Sequence, residues 1–73
     1  MIRKFHVVLQ PEKEGGFSVF VPALPGCASQ GETENEALQN IKEAIELYLK
    51  SLEADRQPIP ADDVHFMEIE IAA

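Results

Sequence analysis

The chain has 73 residues, a single cysteine and a formal net charge of -7, because thirteen Asp and Glu residues outnumber six Lys and Arg residues. We expect residues 1–73 to form one small domain, in which a lone cysteine excludes an internal disulfide. The charge disfavours direct binding of nucleic acid and favours a basic partner, and no apolar run approaches the ~20 residues that span a bilayer.

The N-terminal sequence opens directly into a strand-like run and contains no signal-peptide core. An unpaired cysteine also suits a reducing compartment, so the sequence predicts a cytoplasmic protein. A domain of this size has a marginal core, and Cys27 has no Cys or His at the spacing of a zinc site. We therefore expect the chain to gain stability by forming a dimer or larger homo-oligomer.

Two short runs rich in β-branched and aromatic residues predict strands at residues 5–9 and 17–21. The polar connection between them begins with Pro11 and ends with two glycines, which is typical of a hairpin. Leu24-Pro25-Gly26 predicts a turn after the second strand, and residues 27–30 can return as a third, short strand.

A helix is predicted from Thr33 onward, since Thr33 and Glu36 form a capping box. Apolar residues then recur at spacings of three and four and form a stripe that must lie on the sheet. The stripe comprises Leu38, Ile41, Ile45, Tyr48 and Leu52, flanked by Ala37, Ala44 and Leu49. Residues 55–60 contain two prolines and predict a linker.

Residues 64–71 alternate between apolar and acidic side chains and predict a fourth, half-buried strand. The expected order is therefore β-β-β-α-β. This order predicts an α+β fold in which a small mixed sheet carries one helix on one face.

The alternation also predicts which side of the sheet meets the helix. Phe5, Val7 and Leu9 share a side, as do Phe17, Val19 and Val21, and these residues can cover the helix stripe. The other side mixes apolar and charged residues, as is typical of a surface that contacts another protein. The residues predicted to bind a partner are Val8, Phe20, Phe66, Glu68 and Glu70.

No catalytic, metal-binding or cofactor-binding site is predicted. A metal-dependent nuclease needs converging carboxylates, whereas the acidic residues lie in a hairpin loop, at a helix start and before the last strand. Cys27 is expected to pack in the core. His6 and His65 would be neighbours if the fourth strand paired with the first. A proton-linked contact or a weak metal pair is then an alternative to two simply exposed histidines.

Several segments, in their order and spacing, resemble HicB-like antitoxins over nearly the whole chain. They are Gly15-Gly16-Phe17, Val21-Pro22-Ala23-Leu24-Pro25-Gly26-Cys27, Ser29-Gln30-Gly31-Glu32-Thr33, Glu36-Ala37-Leu38, Asn40, Glu43-Ala44-Ile45 and Pro58-Ile59-Pro60. The resemblance implies a partial RNase H-like fold. It also implies a role, since HicB proteins bind and neutralise HicA toxins, which are small basic mRNA interferases.

Many members of that family carry a further DNA-binding domain, and the chain ends after its last predicted strand. We therefore expect no direct binding of nucleic acid. Two other functions stay open at this point. The chain could be an orphan structural or regulatory homo-oligomer, or a degenerate RNase H-like nuclease, although the second idea depends on likeness of fold alone.

Overall fold

The computed structural model describes residues 2–72, which contain three strands and one helix. Strands β1 (Val8–Pro11), β2 (Phe17–Phe20) and β3 (Ala28–Gly31) form one antiparallel sheet in the order β1-β2-β3. Helix α1 (Glu34–Ala54) follows the sheet in sequence. The predicted α+β class, with one helix on one face of a sheet, is confirmed.

The core lies between α1 and the face of the sheet that the alternation assigned to it. Val19 and Val21 are buried, while Phe5, Val7 and Leu9 pack against the core from the N-terminal side. The helix contributes Ala37 and Ile41 as its buried residues, one from the flank of the apolar stripe and one from the stripe itself. Among residues 2–72, the buried residues are Val19, Val21, Leu24, Cys27, Ala37 and Ile41.

The start of α1 confirms the predicted cap. Thr33 is the N-cap, and its Oγ1 accepts a hydrogen bond from the backbone N–H of Glu36 at 3.1 Å. The Glu36 carboxylate in turn accepts from the backbone N–H of Glu32 at 3.0 Å. Two N–H groups at the helix start are thereby satisfied by side chains, and the acidic residues favour the positive end of the helix dipole.

The end of α1 depends on a residue that the proline pattern did not identify. The backbone N–H of Arg56 donates to the Glu53 carbonyl, and that of Gln57 donates to the Leu52 carbonyl. This is the hydrogen-bond pattern of a Schellman motif, which needs a left-handed residue after the cap. Arg56 supplies it with a φ of 56°. The helix therefore ends before either proline of the linker.

Side chains and close packing fasten α1 across β2 and β3. Asn40 Nδ2 donates to the Gln30 carbonyl at 2.7 Å, and the Tyr48 hydroxyl donates to the Pro25 carbonyl at 2.9 Å. At Gly31 the strand and helix backbones approach so closely that a Cβ would lie 2.4 Å from the backbone N of Ala37. The helix is thus held toward the β3 side of the sheet.

The predicted fourth strand is wrong for the described residues. Residues 64–71, which we call the C-terminal arm, form no strand. The described sheet is therefore entirely antiparallel rather than mixed, and the order of elements along the chain is β-β-β-α. Met67 and Ile69 are each 82% exposed. An extended segment becomes a strand only when its N–H and C=O groups pair with a neighbouring edge, which the arm does not meet within its own chain.

Candidate protein-binding surface

The face of the sheet opposite α1 is covered by no other strand or helix of residues 2–72. Val8 pairs with Phe20 across β1 and β2, and Phe20 pairs with Ala28 across β2 and β3. These three apolar side chains form a line across all three strands, which we call the apolar row. Phe20, at its centre, is 40% exposed. An exposed aromatic residue on the open face of a sheet is a typical anchor for a protein partner.

A second row of residues lies beside the apolar row on the same face. Gln10 pairs with Ser18, and Ser18 pairs with Gln30, so these uncharged polar side chains also cross the three strands. An apolar centre next to polar groups that can donate and accept hydrogen bonds is the usual composition of a protein interface.

Phe66 lies against the N-terminal part of the chain through His6. The two rings meet edge to face, with their centroids 5.4 Å apart. His6 also binds Asp62: its Nδ1 lies 2.6 Å from Asp62 Oδ2, and its backbone N–H donates to the same oxygen at 2.8 Å. The partner of the His6 ring is therefore Asp62 rather than His65, the neighbour that a fourth strand would have supplied.

The fold favours the ionised form of the Asp62 carboxyl group. Burial opposes the ionised form, but the hydrogen bonds from the ring and the backbone of His6 outweigh it and lower the pKa of Asp62. The other carboxylate oxygen, Oδ1, is buried and has no hydrogen-bond partner within residues 2–72. The contact joins residues 56 positions apart, so no local pattern in the sequence could have revealed it.

The five residues predicted to bind a partner are thus only partly brought together. Val8 and Phe20 are direct neighbours in the apolar row, and Phe66 is fixed near the start of β1 by its contact with His6. Glu68 and Glu70 are exposed farther along the C-terminal arm. Whether the five act together stays a prediction.

A polar cleft of about 310 Å³ lies between the β1–β2 hairpin turn and the start of α1. Its acidic side chains are Glu12, Glu32 and Glu36. Glu36 is engaged with the helix start, and no group of three or more His, Cys, Asp or Glu side chains within residues 2–72 is arranged to hold a metal ion.

An apolar groove of about 850 Å³ lies between α1 and the N-terminal segment. We call it the helix groove. The helical periodicity predicts that Leu38, as a member of the apolar stripe, is buried against the sheet. In the structure this side chain is 38% exposed on the groove wall, so periodicity did not reveal the groove. The apolar lining consists mainly of Phe5, Val7, Leu38, Ile41, Ile45 and Leu49.

Leu24 and Cys27 are both buried in the core. Leu24, in the turn after β2, is fully buried, so this turn anchors itself in the core. Cys27 is buried as expected, and burial raises the pKa of its thiol, which disfavours the reactive thiolate.

No helix within the described part of the chain has the length and apolar character needed to cross a membrane.

Comparison with known proteins gives one consistent family. A family model described as a HicB_like antitoxin of a bacterial toxin-antitoxin system matches residues 5–70. A UPF0150 protein of Synechocystis is 52% identical over 63 residues, covering 86% of this chain and 80% of that protein. A UPF0150 protein of Thermoplasma acidophilum is 48% identical and covers 82% and 87% of the two chains. Antitoxin HicB 1 of Photorhabdus laumondii is 33% identical over 78% of this chain and 37% of that protein.

Proposed function

The chain belongs to the family of HicB-like antitoxins, and on this premise we propose that it binds and neutralises a small basic toxin of the HicA type, an mRNA interferase. Family membership indicates a role in a toxin-antitoxin system. The observation that carries the proposal is the match of an antitoxin family model to residues 5–70 of a chain whose net charge is -7. A toxin that cleaves mRNA needs a basic surface for the phosphates, and an acidic protein can occupy that surface.

The outer face of the sheet is the proposed contact. The apolar row offers side chains whose removal from water would stabilise a complex, with Phe20 as its anchor. The acidic residues of the C-terminal arm, Glu68 and Glu70, would attract a basic partner and orient it. In this division the apolar row sets how long the complex lasts, and the acidic residues set how fast it forms.

We further propose that the protein acts by occlusion and performs no chemistry of its own. The antitoxin family supports this, as does the separation of the acidic residues along the chain. A cytoplasmic location follows from the proposed partner, because the toxin acts on mRNA. Self-association through surfaces that α1 leaves uncovered completes the proposal, and direct binding of nucleic acid forms no part of it.

A co-purification experiment tests the proposal. The purified chain is mixed with the product of a small basic open reading frame beside its gene, and RNA cleavage is followed with and without the chain. We expect a stable complex and protection of the RNA. Absence of both results would refute the proposal and favour the orphan oligomer. Cleavage of RNA by this chain alone with Mg²⁺ or Mn²⁺, abolished by one carboxylate substitution, would favour the nuclease.

Two alanine substitutions test whether the toxin binds at the outer face of the sheet. Phe20→Ala removes the anchor of the apolar row and should weaken toxin binding by about tenfold or more. Leu47→Ala is the matched control, since Leu47 is an exposed apolar residue on α1 outside the sheet. Equal affinities for the two variants would exclude the outer face as the contact. Raised salt should slow the association of the wild type and of both variants with the toxin, because charge accelerates the encounter.

A further inference from the structure

The C-terminal arm has the form of a strand without a neighbour. Met67, Ile69 and Ile71 alternate with Glu68 and Glu70, yet the three apolar side chains are 82%, 82% and 76% exposed. Successive apolar residues on one side of an extended segment are normally buried against a core. In this chain nothing within residues 2–72 covers them, so the arm presents an apolar side that lacks its counterpart.

A counterpart for the apolar side of the arm lies at the β1 edge of the sheet. On the opposite side, Asn40 of α1 binds a carbonyl of β3, and the helix packs over β3 and β2. No strand of residues 2–72 pairs with the outer edge of β1. The helix groove is about 850 Å³ in volume, and its sheet side is formed by Phe5 and Val7, which lie just before β1. A strand added to β1 would satisfy the backbone groups of the edge and would send alternate side chains into the helix groove.

We propose that two copies of this chain exchange their C-terminal arms, so that the arm of each adds to the β1 edge of the other and fills its helix groove. Within residues 2–72 the arm pairs with no strand, and the segment before it is held against the residues that precede β1 by the hydrogen bond from the His6 N–H to Asp62. The arm and the β1 edge of one chain therefore both lack a neighbouring strand, and a second copy can supply one to each.

The charges of the two surfaces agree with this arrangement. Met67, Ile69 and Ile71 would enter the helix groove, leaving Glu68 and Glu70 on the outer face. The N-terminal segment beside the groove carries Arg3 and Lys4, both exposed, which gives the acidic arm a basic neighbour. The exchange is reciprocal, so it closes as a two-fold dimer and does not propagate into a fibre. It also gives a mechanism to the proposed self-association and requires no toxin.

Cross-linking between two tagged copies tests the exchange. One copy carries Ile69→Cys and the other Ile45→Cys, both in a Cys27→Ala background, and they are refolded together before a short bismaleimide is added. We expect a cross-link that joins the two tags. Leu47→Cys replaces Ile45→Cys in the control and should give none. A third sample carries Ile69→Cys and Ile45→Cys in the same chain. A cross-link within that chain, with none between the two tags, would overturn the proposal, as would the absence of a cross-link in every sample.

Light scattering separates the exchange from self-association in general. Ile69→Lys should raise the dimer dissociation constant by at least about tenfold, because a charge would enter the apolar groove. Leu47→Lys is the matched control and should leave the dimer unchanged. Helix content by circular dichroism verifies that both variants fold. A wild-type dimer that survives Ile69→Lys would overturn arm exchange while leaving self-association intact, and a monomeric wild type would overturn both. Neither result depends on toxin binding.

Discussion

At the scale of single residues, a tight packing constraint lies where β3 meets α1. A Cβ built on Gly31 would lie 2.4 Å from the backbone N of Ala37 and 2.8 Å from the backbone carbonyl carbon of Glu36. Backbone atoms at the start of a capped helix cannot move aside as a flexible side chain can. The sequence places Gly31 just before a helix start, but it does not reveal that two backbones touch there.

Gly31→Ala should therefore lower the free energy of unfolding by about 3 kcal/mol, the upper range for overpacking. Urea unfolding followed by helix circular dichroism measures it. Gly15→Ala is the matched control: Gly15 has a φ of +100° and no atom within 4 Å of the added Cβ. It should lose about 1 kcal/mol from backbone strain alone. A loss at Gly31 no larger than that at Gly15 would contradict the role assigned to close packing.

At the scale of elements, the helix shows where sequence patterns succeed and where they stop. Its start was predicted because the capping box is a local signal of two residues, Thr33 and Glu36. Its end was attributed to the prolines of the linker, whereas a Schellman motif at Arg56 ends it first. Arginine in the left-handed region carries no signal, since glycine is the residue expected at this position.

Arg56→Gly should raise the free energy of unfolding by about 1 kcal/mol, because glycine adopts a positive φ without strain. Urea unfolding is again the measurement. Arg56→Ala provides the comparison, since it removes the same charge and keeps the Cβ that causes the strain. A gain in stability as large for alanine as for glycine would show that the charge, and not the backbone, limits stability here.

The arm illustrates the other limit at this scale. Its alternation predicts a half-buried strand, and the exposure of Met67 and Ile69 shows that a pattern does not supply a neighbouring edge. Strand pairing is a tertiary event that requires a second backbone. Strands β2 and β3 lie within one residue of the predicted ranges 17–21 and 27–30, because short turns bring them together. Strand β1 was predicted at residues 5–9 and lies at Val8–Pro11, so residues 5–7 of that prediction are wrong.

At the scale of the whole molecule, one contact joins the two ends of the chain. Asp62 lies before the C-terminal arm, and His6 precedes β1. The lowered pKa of Asp62 means that the folded state favours its ionised form. This stabilisation is present above the ordinary Asp pKa of about 3.9 and is lost as the pH falls through the lower value of the folded state.

Asp62→Asn should therefore be less stable than the wild type at neutral pH, and the difference should shrink as the pH falls below about 4. Urea unfolding of both proteins at neutral and acidic pH measures the difference, because the other carboxyl groups titrate equally in the two. A constant difference across this range would show that the charge of Asp62 contributes nothing to stability.

The amino-acid sequence predicts the α+β class, the strand faces and the helix start through periodicity and a local cap, and its ordered motifs carry the family resemblance. It also selected Val8 and Phe20, which the strand register makes neighbours. The tertiary structure alone decided the close contact at Gly31, the tie between His6 and Asp62, the helix groove and the unpaired state of the arm. These features join residues far apart in the chain, and their energies depend on packing, which no local pattern records.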